Sequence, residues 1–313
     1  MSERTIHVQA DDARPEPRFQ VGDYAVLLKP RVMSLVVFTA GVGLVLAPGA
    51  FDGALHWTTA LAAVLCIAIG AGAAGAINMW YDRDIDRHMR RTMNRPIPAG
   101  RMAPARALVF GCVLGAGAVA MMAVLVNPVA AALLAATILY YVFVYTVWLK
   151  RRTPQNIVIG GAAGALPPVV GWAAVTGDVG LGAVVLFTII FLWTPPHSWA
   201  LALFRRGDYA NAGVPMMPVV AGTEETKRQM LLYTALLIPA TLMPVVIGMS
   251  GAVYGTAAVL LGAEFWRRVR RVRHGGDVDQ ERAARRLFLF SILYLFLIFA
   301  GLLVDRLVFL PLV

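Results

Sequence analysis

The sequence predicts an all-α membrane protein, a bundle of about nine transmembrane helices, and three observations support that fold class. First, 59% of the 313 residues are apolar and 15% are charged, whereas an average soluble domain has about 45–50% apolar and about 25% charged residues. Second, uninterrupted apolar stretches long enough to cross a bilayer recur along the chain. Third, the 28 basic residues fall almost entirely in alternate connections between those stretches. This composition excludes a cytosolic enzyme, a disordered protein and a collagen-like fibre.

Each apolar stretch is expected to form one helix, because backbone groups within lipid must find their partners inside the same segment. A closed β-barrel would need alternating polar and apolar residues in strands of about 10 residues, and these stretches lack that alternation. The polar residues 1–31 are predicted to be a flexible cytoplasmic tail, and 32–313 a single transmembrane domain. The predicted spans are 32–50, 54–80, 105–126, 128–148, 157–176, 180–203, 229–249, 251–266 and 287–311.

The distribution of basic residues predicts the orientation. Of the 28 lysines and arginines, 27 lie in the tail and in alternate connections, and the other connections contain none. Positive charge marks the cytoplasmic side of a membrane protein. The sequence therefore predicts a cytoplasmic N-terminus, an outward C-terminus and a functional cavity on the cytoplasmic side, in the cytoplasmic (inner) membrane. The net charge of +10 then indicates an anionic small substrate, and no nucleic-acid partner is expected.

The end of the second predicted span carries an acidic motif. Asn78, Asp82 and Asp86 are spaced four residues apart, which places them on one face of a helix. One interpretation is a solvated helix end, with Asp82 paired to Arg83 and Asp86 to Arg90. Acids beneath so long an apolar run are costly, however, and usually functional. Carboxylate oxygens suit Mg²⁺, which commonly binds through one or two carboxylates and substrate phosphates.

Basic residues follow this motif and return after the fourth span. Arginine forks match phosphate oxygens in a bidentate way, so these residues are candidates for a diphosphate clamp. Ordinary positive-inside charge is the alternative for each of them. The two groups are Arg90, Arg91, Arg95 and Arg101, and Lys150, Arg151 and Arg152, which precede Asn156.

The sixth span ends in Trp193-Thr-Pro-Pro-His197-Ser-Trp199. A lone histidine in such an aromatic setting is either a packing residue or a contact to a bound molecule, and both interpretations stay open. Asp208 follows in the next connection, which suggests a two-half organisation with one acidic site in each half.

These motifs together resemble the UbiA superfamily of intramembrane prenyltransferases, and within it the branch that acts on protohaem IX. The resemblance runs from Lys29-Pro-Arg to about Val220 and more loosely to the end. Its most specific stretches are Asn78-Met-Trp-Tyr-Asp82-Arg-Asp-Ile-Asp86, Arg91-Thr-Met-Asn-Arg95-Pro, Tyr145-Thr-Val-Trp-Leu-Lys150-Arg, Trp193-Thr-Pro-Pro-His197-Ser-Trp-Ala-Leu-Ala-Leu and Asp208-Tyr-Ala-Asn-Ala-Gly-Val-Pro-Met.

The resemblance implies a nine-helix bundle whose cavity is capped by cytoplasmic loops. It implies transfer of a farnesyl group from farnesyl diphosphate to a vinyl group of protohaem IX (haem b), with addition of water to give haem O. It also implies that Mg²⁺ assists the ionisation of the diphosphate. A downstream haem-modifying enzyme or a terminal oxidase would be a natural partner.

Residue roles follow from the same resemblance. The catalytic set is Asn78, Asp82, Asp86 and Asp208, of which the three aspartates are the expected Mg²⁺ ligands. The second acidic motif departs from the superfamily pattern, because Ala212 stands four residues after Asp208. The expected diphosphate contacts are Arg91, Arg95, Lys150 and Arg205. The expected haem-pocket residues are Trp193, His197, Trp199, Tyr145 and Asn156.

Two other functions are weighed against this one. The first is a prenyltransferase of the same superfamily that acts on an aromatic acid or a quinone precursor instead. A small-molecule or ion transporter would place polar residues deep within several spans, whereas here the acids lie at one boundary.

Overall fold

The computed structural model describes residues 21–50, 56–275 and 277–308, and within these it is helical, with no strand. The all-α prediction is confirmed. The α-helices are α1 Val21–Leu27, α2 Pro30–Leu46, α3 Trp57–Tyr81, α4 Pro104–Leu125, α5 Pro128–Leu139, α6 Asn156–Ala165, α7 Pro167–Thr176, α8 Leu181–Phe204, α9 Arg206–Asn211, α10 Met217–Val220, α11 Gly222–Val246, α12 Ala252–His274 and α13 Asp277–Val308. A short 3₁₀-helix covers Ile85–His88, and a π-helix, Tyr140–Leu149, continues α5.

The predicted count of nine spans is not confirmed. In the described part of the chain, seven helical segments are long and apolar enough to cross a membrane, and the bent pair α1 and α2 would make an eighth. A helix does form near each predicted span. α12 does not pass as a span because its C-terminal half is basic, with Arg271, Arg273 and His274 in the last turn.

Helix is already present within the last part of the predicted tail, at α1 and at the beginning of α2. α1 meets α2 at an angle of 52°. Leu27 is fully buried and packs in one cluster with Ala76 and Met79 of α3, which an apolar residue achieves only as part of the folded bundle. Residues 1–20 of the predicted tail lie outside the described residues.

Prolines define several helix starts. Pro30, Pro104, Pro128 and Pro167 each open a helix, where the fixed φ fits and no intrahelical N–H is lost. The helix is interrupted at the proline pair, because α6 ends at Ala165 and α7 begins at Pro167.

Small residues let α2 approach α7 closely. A Cβ at Gly43 would lie 2.2 Å from the carbonyl oxygen of Pro168, and one at Gly171 would lie 2.1 Å from that of Ala40. Neither contact could exist with a side chain present. Such backbone-to-backbone packing is typical of membrane helices, whose interfaces favour glycine.

Two apolar cores hold the bundle. One joins α8, α11, α12 and α13, and the other joins α3, α4, α5 and α7. A cavity of about 320 Å³ is lined by residues of α2, α3, α5, α6 and α7 and by the connections next to them. The second core and the cavity therefore share α3, α5 and α7.

Candidate active site

The acidic motif lies where α3 ends. Tyr81 is the last residue of α3, Asp82 follows as its C-cap, and Asp86 lies in the 3₁₀-helix. The four-residue spacing nevertheless survives in the backbone, because the amide of Asp82 donates to the carbonyl of Asn78 and that of Asp86 donates to Asp82, each at 2.9 Å. All three side chains are buried. The predicted shared face is therefore present, although one continuous helix does not carry it.

The acids pair with distant bases rather than with their neighbours. Lys150 Nζ bonds to Asp82 Oδ2, and Arg95 Nη1 donates to Asp86 Oδ2 at 2.6 Å. Arg83, the local partner considered for Asp82, instead donates to the carbonyl of Trp80 at 2.8 Å. The long-range pairs join separate elements at one site, which a merely solvated helix end would not do.

Lys29 also belongs to this cluster, although the sequence pattern placed it among the basic residues of the predicted N-terminal tail. Its Nζ donates to Asn78 Oδ1 at 2.8 Å, while Asn78 Nδ2 donates to Asp82 Oδ2 at 2.7 Å. Lys29 has φ 51°, the only positive φ of a non-glycine residue in the described part of the chain. A residue held in this region costs about 1–3 kcal/mol, and such residues cluster at functional sites. The available signal was Pro30, which marks a helix start directly after Lys29.

The π-helix supplies the opposite wall. Its wider turn is seen where the Lys150 amide donates to the carbonyl of Tyr145, five residues earlier, at 2.9 Å. Thr146 Oγ1 accepts from Asn78 Nδ2 at 3.1 Å, and Tyr141 and Tyr145 line the cavity. π-Helical turns are rare and frequently mark functional sites.

Arg151 supports the acidic motif from outside. Its two terminal nitrogens each lie 2.7 Å from one carboxylate oxygen of Asp84, and its guanidinium lies 4.8 Å from the centre of the Tyr81 ring. The hydrogen bonds from Arg151 lower the pKa of Asp84 to about 2. This bidentate pair fixes the connection after the π-helix against the end of α3.

The cavity has a charged end and an apolar end. Four basic side chains line the charged end together with Asn78 and Asp86, namely Lys29, Arg91, Arg95 and Lys150. Along α3 the lining continues through Ala74 and Ala71 to Ile67, about 16 Å from Asn78 at 1.5 Å per residue. This shape suits an amphiphile with an anionic head and a hydrocarbon chain.

Most of the predicted site residues of the first half converge on this cavity. Asn78, Asp86, Arg91, Arg95, Lys150, Tyr145 and Asn156 line it. Asp82 lies directly behind them, bonded to Asn78 and Lys150. The buried Asn156 keeps an Oδ1 with no hydrogen-bond partner, and this atom is an available acceptor at the cavity wall.

Asp208 and Arg205 do not line the cavity. They lie at the junction of α8 and α9, where Arg205 Nη1 is 3.7 Å from Asp208 Oδ2. The next residue, Tyr209, does line it. The assignments of Asp208 to the metal and of Arg205 to the diphosphate stay predictions.

The aromatic motif of α8 packs against α13. His197 stacks between Trp193 and Phe288, with ring centroids 4.2 and 4.7 Å away, and its Nδ1 lies 2.6 Å from Ser291 Oγ. Trp199 is fully buried in the same core. None of the three predicted haem-pocket residues of this motif lines the cavity, so their contact with an acceptor stays a prediction.

The donor set fits Mg²⁺ held jointly with a substrate. Asp82 Oδ1 is buried without a hydrogen-bond partner, and the Asp86 carboxylate lines the cavity. Among the described residues, no three His, Cys, Asp or Glu side chains form a cluster that could hold a metal. Two carboxylates with phosphate oxygens make the ligand set that Mg²⁺ commonly takes, whereas a cage built by the protein alone is not present in the described structure.

Apolar helices around a cavity with acids and bases at one end define an integral membrane protein that handles an amphiphilic anion. The chain belongs to the UbiA prenyltransferase family, whose model matches residues 36–305.

Similarity to relatives covers nearly the whole chain. A protein of Parvibaculum lavamentivorans is 58% identical over 309 residues, covering 98% of this chain and 96% of its own, and one of Acidiphilium cryptum is 57% identical over 293 residues, covering 92% and 91%. Both are named protoheme IX farnesyltransferase.

Solved structures share the fold. A structure described for digeranylgeranylglyceryl phosphate synthase matches with a TM-score of 0.74 at 16% identity, over 91% of this chain and 97% of its own. A UbiA homologue from Archaeoglobus fulgidus, bound to GPP and Mg²⁺, matches with a TM-score of 0.65 at 17% identity, over 90% and 99%. At these identities the likeness establishes the fold alone.

Proposed function

We propose that this protein transfers the farnesyl group of farnesyl diphosphate to a vinyl group of protohaem IX, with addition of water to give haem O. The observation that carries the proposal is one cavity that combines a charged end with an apolar extension. Four basic side chains and the carboxylate of Asp86 line the charged end. The high identity to relatives named protoheme IX farnesyltransferase supports this choice of donor and acceptor.

The diphosphate head binds among Lys29, Arg91, Arg95 and Lys150. Each cation can donate charge-assisted hydrogen bonds to phosphate oxygens, which are stronger than neutral ones. Arg91 is exposed, lines the cavity and forms no ion pair within the described residues, so it is available to a substrate. Arg95 and Lys150 are tied to Asp86 and Asp82, which orients them at the head of the cavity.

Asp82 and Asp86 are the residues that would hold Mg²⁺ against the diphosphate. When bound, Mg²⁺ supplies Lewis-acid stabilisation of the negative charge that grows on the leaving group. Binding of Mg²⁺ in a homologue together with GPP supports this role.

The bases favour ionisation of the donor. The allylic C–O bond breaks with its electron pair on the diphosphate, whose charge Lys29, Arg95 and Lys150 stabilise. The vinyl π electrons of protohaem IX then form the new C–C bond to the farnesyl carbon. Water adds to the resulting cation and loses a proton, which leaves the hydroxyethylfarnesyl group. The apolar wall of Ile67, Leu134 and Ile138 holds the far part of the hydrocarbon chain and excludes water from that end of the cavity.

The protein is proposed to lie in the cytoplasmic (inner) membrane with its N-terminus and the charged end of the cavity on the cytoplasmic side. The concentration of basic residues in alternate connections supports this orientation. A downstream haem-modifying enzyme or a terminal oxidase is the expected consumer of the product.

The test incubates the purified protein with haem b, farnesyl diphosphate and Mg²⁺ and measures the product mass. We expect a mass equal to haem b plus a farnesyl group and a hydroxyl group. The product should disappear when Mg²⁺ is chelated and return when Mg²⁺ is restored. A parallel reaction offers an aromatic acid or quinone precursor as acceptor. Prenylation of that acceptor instead of haem b by folded protein would overturn the proposal.

A further inference from the structure

A second cavity lies between the end of α12 and the beginning of α13, and it is strongly basic. It has a volume of about 290 Å³ and is lined by four arginines, one aspartate and two small residues. These are Arg268, Arg271, Gly275, Asp279, Arg282, Ala283 and Arg286. None of them belongs to the active-site cavity.

Four arginines from two helices line this cavity. Arg268 and Arg271 are three residues apart on α12, and Arg282 and Arg286 are four apart on α13, so each pair occupies one helix face. Arg268 pairs with Glu264 at 2.6 Å. Within the described residues, the other three form no ion pair, and the lining therefore has an excess of positive charge.

The rule that basic residues lie on the cytoplasmic side does not by itself explain why these four arginines line one cavity. Positive-inside charge requires only that basic residues lie on one side of the membrane, not that they face one another. Arg270 and Arg285 belong to the same two helices and are exposed, but they do not line the cavity. Facing like charges repel, and an anion between them removes that repulsion.

The surroundings favour a lipid anion over a free one. The apolar part of α13 begins after Arg286, so Arg282 and Arg286 lie directly before it, where a lipid headgroup would meet the helix. Leu289 and Leu293 continue the same helix face and are 57% and 49% exposed. This face therefore offers bases to a headgroup and, beyond them, apolar side chains to acyl chains.

We propose that this basic cavity binds the phosphate of an anionic phospholipid, with the acyl chains lying along α13. Arginine pairs bind phosphate oxygens in a bidentate way, and basic pockets between membrane helices are suited to anionic headgroups. The site is independent of the prenyl-transfer chemistry.

The test uses the purified full-length protein in detergent micelles and native mass spectrometry to count bound lipids. The probes are dioleoylphosphatidylglycerol, dioleoylphosphatidylcholine and inorganic phosphate. The cavity variant carries Arg282→Gln and Arg286→Gln. The matched control carries Arg270→Gln and Arg285→Gln, which remove the same charge from the same helices outside the cavity.

We expect the wild type and the control to bind phosphatidylglycerol about tenfold more tightly than phosphatidylcholine, and the cavity variant to lose that preference. An equal loss in both variants would show bulk attraction only and overturn the proposal. Displacement of phosphatidylglycerol by millimolar inorganic phosphate would identify a free-anion site and overturn the lipid assignment. If the double variant fails to fold, Arg271→Gln provides the same comparison against Arg270→Gln.

Discussion

Lys29 Nζ donates a hydrogen bond to Asn78 Oδ1 at 2.8 Å, across 49 residues of sequence. The bond connects the bend between α1 and α2 to the acidic motif at the end of α3. It also holds a lysine at φ 51°, a conformation that non-glycine residues adopt only when their surroundings impose it. The bend between the two N-terminal helices therefore contributes directly to the candidate active site.

Replacing Lys29 by glutamine should weaken binding of the diphosphate substrate. The variant loses one charge-assisted hydrogen bond, so we expect KM for farnesyl diphosphate to rise about tenfold. Steady-state kinetics with varied donor measures this. Arg31→Gln is the matched control, because Arg31 is exposed and does not line the cavity. Equal KM values for the two variants would remove Lys29 from the diphosphate site.

Replacing Asp82 by alanine should leave less than about a tenth of the wild-type activity, because a buried ligand for Mg²⁺ is lost. Asp84→Asn is the control. Asp84 is two residues away, but its side chain is 59% exposed and paired with Arg151, and we expect activity close to wild type. The activity of both variants is measured as product formation by mass spectrometry at saturating Mg²⁺. Thermal unfolding checks that both variants are folded. Activity above a tenth in folded Asp82→Ala would contradict the metal assignment.

Two glycines of α6 should respond oppositely to alanine. A Cβ at Gly160 would lie 2.1 Å from Tyr145 Cδ2, whereas one at Gly164 would meet nothing within 4 Å. Gly160→Ala must displace the Tyr145 ring, and we expect it to destabilise the protein by about 1–3 kcal/mol. Gly164→Ala should be neutral or slightly stabilising. The two variants are compared by their thermal unfolding midpoints in detergent. Equal midpoints would contradict the close contact between Gly160 and Tyr145.

A larger side chain at Gly164 should shorten the prenyl chain that the enzyme accepts. Gly164 lines the cavity, so a leucine there fills volume that the chain would occupy. We expect Gly164→Leu to lower kcat/KM for farnesyl diphosphate about tenfold while geranyl diphosphate is used as well as before. Gly117→Leu on α4 is the control, since its Cβ also meets nothing within 4 Å but lies outside the cavity. An unchanged ratio between the two donors in Gly164→Leu would contradict this role.

The sequence predicted well what depends on local pattern. Apolar runs located the helices, and four-residue spacing placed Asn78, Asp82 and Asp86 on one face, because both properties follow from backbone geometry. The predicted number of spans is not confirmed at α12, where a helix forms but its C-terminal half is basic and not apolar enough to count as membrane-spanning.

The sequence pattern did not predict which charged residues pair with each other in the folded chain. Nothing in the local pattern indicates that Lys150 reaches Asp82, because that contact depends on how α3 packs against the π-helix. The contact of Arg95 with Asp86 depends on the irregular course of the connection between α3 and α4, which local spacing does not predict either. The same holds for Lys29, which composition could assign only to a basic tail. His197 was open to two interpretations, and its packing against Phe288 and Ser291 depends on α13, which lies about 90 residues further along the chain.

The division of the cavity into a charged end and an apolar end also bears on how the proposed reaction proceeds in one direction. One amphiphilic donor becomes two products of opposite solubility, an inorganic diphosphate that dissolves only in water and a farnesylated haem that dissolves only in lipid. Each product partitions into a different phase as it leaves. The reverse reaction would need the diphosphate and the farnesylated haem to return to the same cavity at once. Partition of these products between water and bilayer therefore opposes the reverse reaction.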